Sequence, residues 1–194
     1  MNIKHFCIFS LLILAVQGCD VARQISGAYN MINCKYEYNS VSALTLSGMD
    51  LSKGVSASNI PGLLSLLAGK GSTVPLNFTV NLDVTNPNQS EALLHGMSYI
   101  LNIDNVQFAT GSMNRSLNIP PGNKKVLPLN IGVDLAALLS GNSRDAVVNI
   151  VKNFIGIGSR KTNVSLQIKP TFMIGGQPVT QSSYIPVNFT FGGK

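Results

Sequence analysis

The clearest pattern in the chain is a strict alternation of apolar and polar residues from Leu76 to Thr85. A period of two predicts a β-strand with one buried face and one face in water. The strand must end at Pro87, because proline has no N–H group for the hydrogen-bond ladder of a sheet. Asn86 and Asn88 flank this proline, and we expect their side chains to bond to nearby backbone in a structural turn.

Later segments repeat this alternation and predict the partner strands. Their apolar positions are Tyr99, Leu101 and Ile103; Val106 and Phe108; Leu127, Leu129, Ile131 and Val133; Val164, Leu166 and Ile168; and Ile185, Val187, Phe189 and Phe191. Between the first two segments, Asp104 and Asn105 predict a tight hairpin turn, because both residue types tolerate a positive φ. Pro170 and Pro186 indicate that the final strands lie at a sheet edge or carry a bulge.

Three apolar segments carry helix signals instead. Residues 60–69 predict a short helix within a loop that spans residues 52–71. Asp134 can cap one short helix, and Ser143 can cap a second one that ends at Gly156. The two later helices precede the last predicted strands.

These elements predict a mainly β fold, an antiparallel immunoglobulin or fibronectin type III-like β-sandwich. We expect about seven strands, with one or two short helices inserted before the last two strands. An earlier extended segment, residues 32–51, loses its alternation at Val41 and Ala43, which predicts a bulge or a bend. With 194 residues, 45% hydrophobic and 11% charged, the chain has enough apolar side chains for the core of one domain.

The N-terminal segment has the composition of a targeting signal. A short basic start precedes an apolar stretch, residues 6–16, which is too short to span a bilayer. Val16, Gln17, Gly18 and Cys19 follow it and resemble a bacterial lipobox, except that Gln17 stands where alanine or serine is common. We therefore predict a lipoprotein signal peptide at residues 1–18, a lipidated N-terminus and polar tether at 19–31, and the β-sandwich domain at 32–194.

An acylated Cys19 would hold the domain on a membrane through its lipid chains, palmitate among them. The expected location is the bacterial cell envelope. The outer membrane is favoured. The inner membrane is the alternative, because an aspartate directly after the lipidated cysteine, here Asp20, acts as an inner-membrane retention signal in some bacteria. Cys34 then has no cysteine left to pair with, and we expect it to be a small buried apolar residue.

The order of the strand and turn motifs resembles the late-embryogenesis-abundant family with the water stress and hypersensitive response (WHy) domain. In that family a strand ends in Asn-Pro-Asn, as at residues 86–88, and a Tyr-x-Leu strand follows, as at residues 99–101. A hairpin with an aspartate and a return strand with a glycine come next, matched by Asp104 and Gly111. The resemblance covers residues 32–191. It implies a compact sandwich, a role in stress or desiccation tolerance, and no catalytic residues.

Residues for catalysis or metal binding are sparse. After the predicted leader only His95 remains among the histidines, and a Ser/His/Asp triad needs a histidine within reach of both partners. The acidic residues are dispersed along the chain, so neither a metal site nor a cofactor is expected. The formal charge of +6 is scattered and lacks interleaved aromatic residues, so we expect no nucleic-acid partner.

The main hypothesis is therefore a non-enzymatic, lipid-anchored envelope protein whose sandwich protects or binds, with a membrane or another envelope protein as partner. In an alternative, residues 63–67 and the helix of residues 143–154 frame an apolar groove that carries a lipid or a peptide. A cryptic hydrolase built on His95 is a further alternative.

Overall fold

Two antiparallel sheets face each other in the computed structural model, which describes residues 19–52, 55–56, 58–67, 73–139 and 143–193. The strands are β1 (Lys35–Leu46), β2 (Met49–Asp50), β3 (Pro75–Thr85), β4 (Ala92–Leu94), β5 (Gly96–Ile103), β6 (Val106–Met113), β7 (Leu117–Ile119), β8 (Lys124–Asp134), β9 (Thr162–Ile174), β10 (Gln177–Thr180) and β11 (Ile185–Phe191). The helices are α1 (residues 19–32), α2 (Ile60–Leu67), α3 (Leu135–Leu139) and α4 (Arg144–Phe154).

The first sheet has the order β2-β1-β3-β8, and β3 lies between β1 and β8. Every second residue of β3 is buried, as the alternation predicts; these residues are Leu76, Phe78, Val80, Leu82 and Val84. Their side chains pack against the inner face of the second sheet. Burial of this one continuous face therefore fixes the register of the sandwich.

The second sheet has the order β10-β9-β5-β6, with β11 also paired to β9. Strands β10 and β11 lie end to end along the same edge of β9. The seven long strands form the predicted immunoglobulin or fibronectin type III-like sandwich, and the four short strands are additional. Three strands follow α4 rather than two, because a turn at Gly175 and Gly176, both with positive φ, returns the chain as β10.

The two prolines differ in their placement. Pro186 lies in β11, an edge strand, as expected, whereas Pro170 lies in the central strand β9. The carbonyl of Pro170 accepts a bond from the N–H of Gln181, where the chain passes from β10 to β11. The sheet tolerates this proline because its missing N–H faces the break between the two edge strands rather than β5.

Strand β1 carries the predicted bulge. Its register with β3 shifts between Ser42 and Thr45, and Ala43 adopts a φ of 51°. A second shift occurs between Tyr38 and Ser40. The loss of alternation in the sequence thus marks a real irregularity of the ladder.

Helices α3 and α4 cover the end of the sandwich where β3 begins, and α2 contributes the buried Leu63 to the core. Asp134 caps the short α3 as expected: its carboxylate accepts bonds from the N–H groups of Val74 and Ala136, at 2.8 and 3.0 Å. These bonds hold the pKa of Asp134 below its usual value. Ser143 occupies the N-cap position of α4 as predicted, but its side chain makes no capping hydrogen bond there.

Helix α1 occupies residues for which the sequence predicted a polar tether. Its inner face is buried in the core through Ala28 and Met31. Gly27 lets the helix approach β4 closely, since a Cβ atom there would lie 2.5 Å from Cγ of Leu93. The tether prediction failed because the helix is stabilised by docking on the sandwich rather than by its own amphipathic pattern.

Candidate functional site

Asn86 forms the centre of the turn that ends β3. The residue is 0% exposed. Its side-chain amide donates to the carbonyls of Ser90 and Ile119, both at 2.9 Å, and of Pro120 at 3.3 Å. Its side-chain oxygen accepts from the backbone N–H of Asn88 at 3.0 Å. The amide therefore joins its own turn to the turn between β7 and β8.

Asn88 extends this network to helix α1. Its side chain donates to the carbonyl of Asn30 at 3.1 Å and to the side-chain oxygen of Asn86 at 2.8 Å. Asn30 in turn donates to the hydroxyl of Ser90 and to the carbonyl of Glu91, at 2.7 and 2.9 Å. We call Asn30, Asn86 and Asn88 the asparagine cluster. Its side chains bond to backbone groups of the two turns and of α1, as expected for a structural turn.

An ion pair attaches α1 to the sandwich near Arg23. Arg23 bonds to the carboxylate of Glu91, which also accepts from Asn118 at 2.7 Å. The bond with Arg23 lowers the pKa of Glu91 and raises that of Arg23. Near the first turn of the helix, Gln24 accepts a bond from the N–H of Gly175 at 2.8 Å.

The hairpin between β5 and β6 turns at Asp104 and Asn105, with φ values of 47° and 66°. This is the geometry that the two residue types were expected to allow. Asp104 also binds the chain next to the hairpin, because its carboxylate accepts from the N–H of Asn163 at 2.9 Å and from the side chain of Asn149 at 3.2 Å. The hairpin is thereby attached to helix α4.

Helix α4 contributes two asparagines that the sequence did not single out. Asn149 and Asn153 both donate to the hydroxyl of Thr162, at 3.1 and 2.6 Å, and Thr162 is fully buried. Asn153 also accepts from the N–H of Gly193 at 3.0 Å. A spacing of four residues places the two asparagines on the same face of the helix. The sequence does not show that Thr162 of β9 lies against that face, so it could not distinguish these buried amides from amides exposed to water.

A tyrosine links the two sheets. Tyr99 on β5 donates its hydroxyl to the carbonyl of Asn130 on β8, at 2.8 Å. Gly111 stands directly opposite Tyr99 on β6, and a Cβ atom there would lie 2.5 Å from Cζ of the ring. The glycine is thus required for space rather than for its φ. Burial raises the pKa of Tyr99.

His95 is exposed and lies near a serine, but a catalytic triad also needs an acidic residue beside the histidine. Its Nδ1 lies 3.5 Å from the hydroxyl of Ser116. Glu91, the acid near it in sequence, instead bonds to Arg23 and Asn118. Within the described residues no carboxylate bonds to the imidazole of His95, and a Ser/His/Asp triad requires one. Within the described ranges, no three metal-ligating side chains are grouped together.

Two cysteines belong to the described chain. Cys19 is exposed at the first described residue of α1, whereas the lipobox residues Val16, Gln17 and Gly18 lie outside the described residues. Cys34 is 8% exposed and donates its thiol to the carbonyl of Asn30 at 3.3 Å. Burial raises the pKa of Cys34 to about 11, so the thiol stays protonated at neutral pH, as expected for a buried apolar residue.

A concavity of about 320 Å³ lies between β1 and the end of α4. Its apolar lining is Val41, Leu44, Leu51, Phe154 and Phe191. The bulge at Ala43 forms part of its wall. The apolar stripe of α4, by contrast, is largely buried in the core through Val147, Ile150 and Val151. Among the helices described, none is long and apolar enough to cross a bilayer.

Comparisons with known proteins give one family match. A family model described as late embryogenesis abundant protein matches residues 81–188, more than half of the chain. The comparison with curated proteins found no match.

Three solved structures are similar to this chain at low sequence identity. A crystal structure of a protein from Archaeoglobus fulgidus is 18% identical, with a TM-score of 0.40, and the match covers 81% of this chain and 98% of that one. A solution structure of an Arabidopsis thaliana protein is 16% identical, with a TM-score of 0.43 and coverage of 60% and 70%. A solution structure of a candidate late embryogenesis abundant protein is also 16% identical, with a TM-score of 0.36 and coverage of 98% and 84%.

Proposed function

This chain belongs to the late embryogenesis abundant protein family, and we propose that it is a lipid-anchored, non-enzymatic member located in the bacterial cell envelope. Its sandwich, of the WHy type, would protect or bind envelope components under stress. The observation that carries the anchor is the position of Cys19. The cysteine follows an apolar stretch and Gly18 in the sequence, and it is exposed at the first described residue of a helix docked on the domain.

The wet faces of the sandwich support a protective or binding role rather than catalysis. On β3 the outward residues are mostly uncharged and polar, namely Asn77, Thr79, Asn81 and Thr85, with Asp83 among them. Thr79 bonds to Asn130 at 2.9 Å, and Asn81 bonds to Ser42 at the same distance. Such a surface of hydroxyl and amide groups exchanges hydrogen bonds with water or with polar partners.

We expect Cys19→Ala to abolish acylation, because the thiol is the only group that can carry the diacylglycerol at this site. When the chain is expressed in a bacterium grown with an alkyne-labelled fatty acid, it should incorporate the label. Treatment of the culture with globomycin should cause the uncleaved precursor to accumulate. Cys34→Ala is the matched control and should label normally. Label retained by Cys19→Ala would refute the anchor.

The stress role is tested in the native host with the same variants. A strain without the protein should survive drying and rehydration less well, and the wild-type gene should restore survival. If the anchor is needed, the Cys19→Ala gene should not restore it while Cys34→Ala should. Equal survival of the deletion strain and its parent would remove the stress role and leave the anchor untouched.

The second candidate function is the carriage of a small apolar ligand. The concavity beside α4 favours it, since its volume lies near the lower end of the range for ligand sites and its apolar side chains are accompanied by Ser42, Ser52 and Asn153 as polar groups. Native mass spectrometry of the protein from its own host should then show a bound molecule that Val41→Glu loses. Val126→Glu, at an exposed position of β8 outside the concavity, is the control. A wild-type protein that is always empty would exclude this function.

A further inference from the structure

We propose that the outer face of helix α1 lies on the bilayer, so that the domain is seated on the membrane in one orientation. The membrane-facing stripe consists of Ala22, Ile25, Tyr29 and Ile32. The inference rests on the lipid anchor proposed above and adds a protein surface that contacts lipid.

The stripe is apolar and exposed. Ile25, Tyr29 and Ile32 are 52%, 66% and 37% exposed. Their spacing of four and then three residues places them on one face of the helix, and Ala22 extends that face by one turn. The opposite face is already buried on the sandwich through Gly27, Ala28 and Met31. The helix therefore has two apolar faces, and only one of them is covered.

The helix is fixed in this orientation by contacts along its length. Arg23 bonds to Glu91, Gln24 to Gly175, and Asn30 to the carbonyl of Glu91. Rotation of the helix to bury the stripe would break all three. The stripe consequently remains exposed in the part of the chain that the structure describes, and covering it requires a partner outside those residues.

The proposed anchor brings the bilayer to the stripe. Cys19 precedes Ile25 by six residues of the same helix, a rise of about 9 Å at 1.5 Å per residue. The helix is continuous between the two residues. Acyl chains on Cys19 thus hold the stripe within reach of the lipid headgroups, where amphipathic helices bury their apolar face to a depth of roughly 5–10 Å. Tyrosine is also suited to that interface, since its ring is apolar and its hydroxyl is polar.

Two lysines near the end of α1, Lys35 and Lys125, carry positive charge that a negatively charged membrane surface attracts. Lys35 follows the helix closely and pairs with Thr85, which in turn pairs with Lys124, whose ammonium group is already bonded to Asp83 at 2.7 Å. Lys125 is exposed beside them, at the same end of the sandwich. Basic residues near a bilayer are attracted to anionic lipids. In this orientation the opposite end, with α3 and α4, points away from the membrane.

The absence of tryptophan from the chain allows a direct test. Tyr29→Trp is prepared in the acylated full chain and reconstituted in vesicles of phosphatidylethanolamine and phosphatidylglycerol. We expect its emission maximum to shift to shorter wavelength and its emission to be quenched by lipids with a nitroxide in the upper acyl chain. Ile157→Trp is the matched control: it is 42% exposed and follows α4 at the opposite end, and its emission should be neither shifted nor quenched.

The outcomes separate this inference from the anchor. A protein that floats with the vesicles but shows an unquenched Trp at position 29 retains the anchor and refutes the seated helix. A protein that does not float refutes the anchor, and the seated helix with it. An emission shift that depends on protein concentration and not on lipid shows that a second copy covers the stripe, which also refutes the proposal. Ile25→Trp repeats the measurement if Tyr29→Trp is misfolded by circular dichroism.

Discussion

Asn86→Ala should lower the free energy of unfolding by about 3 kcal/mol, measured by urea denaturation. The substitution leaves the carbonyls of Ser90 and Ile119 without their donor and the N–H of Asn88 without its acceptor, in a site that is 0% exposed. Water cannot replace the lost partners without opening the turn. Buried backbone groups that lose their partner cost about 1–3 kcal/mol each, and partial relaxation of the turn reduces their sum.

Asn81→Ala is the matched control for this prediction. Asn81 lies on the same strand and makes two side-chain hydrogen bonds, to Ser40 and Ser42, but it does so on the wet face. We expect a loss of less than about 0.5 kcal/mol, because water replaces the lost partners. Similar losses for both variants would show that burial does not explain the effect of Asn86.

At neutral pH, Asn86→Asp should lower the free energy of unfolding more than Asn86→Ala does. The carboxylate has the shape of the amide, but it would face three carbonyl oxygens as a charged acceptor. The folded state would therefore raise the pKa of the new carboxyl above its unfolded value. At low pH the carboxyl is protonated and the folded state tolerates it. As the pH rises through the pKa of the folded state, the carboxyl ionises and the free energy of unfolding falls. Denaturation of Asn86→Asp from pH 4 to pH 7 should show this loss, and a flat profile would contradict the hydrogen-bond assignment.

Gly111→Ala should also lower the free energy of unfolding by about 3 kcal/mol, although alanine usually stabilises a strand relative to glycine. The new Cβ atom would overlap the ring of Tyr99 and push its hydroxyl from the carbonyl of Asn130. Overpacking of this kind costs about 1–3 kcal/mol, and the lost hydrogen bond adds about 1 kcal/mol. Thermal or urea denaturation measures the change.

Gly62→Ala is the matched control, because a Cβ atom at this position of α2 meets no atom within 4 Å. It should stabilise the protein by up to about 1 kcal/mol, the usual gain in a helix. The pair Gly111→Ala and Tyr99→Leu should cost less together than the sum of the single changes, because the smaller side chain removes the overlap. Additive losses would show that Gly111 is needed for another reason.

The turn after β3 shows how far local chemistry predicts structure. Alternation and Pro87 placed the end of the strand, and the asparagine type predicted backbone hydrogen bonds there. The partners of Asn86 could not be predicted in the same way. Ile119 lies 33 residues away in sequence, and its carbonyl reaches Asn86 only after the turn between β7 and β8 closes over β3.

Helix α1 shows the opposite case. Its sequence alternates apolar and polar residues too irregularly to indicate which face is buried, and a polar tether was the expectation. Docking on β4 produces the helix, because Gly27 allows the close approach and Asn30 satisfies the loop at residues 90 and 91. The same docking leaves Ile25, Tyr29 and Ile32 uncovered, a property that residue types alone do not reveal.

The four short strands could not be inferred from the order of residues, whereas the seven long strands, the hairpin at Asp104 and Asn105, the bulge near Ala43 and the family resemblance could. These features depend on side-chain alternation and turn chemistry, which act between near neighbours along the chain. The docking of α1, the bond from Asn149 to the Asp104 hairpin and the space that Gly111 leaves for Tyr99 became visible in the folded chain alone. Those contacts join residues far apart in sequence, and they exist only once the two sheets have closed on each other.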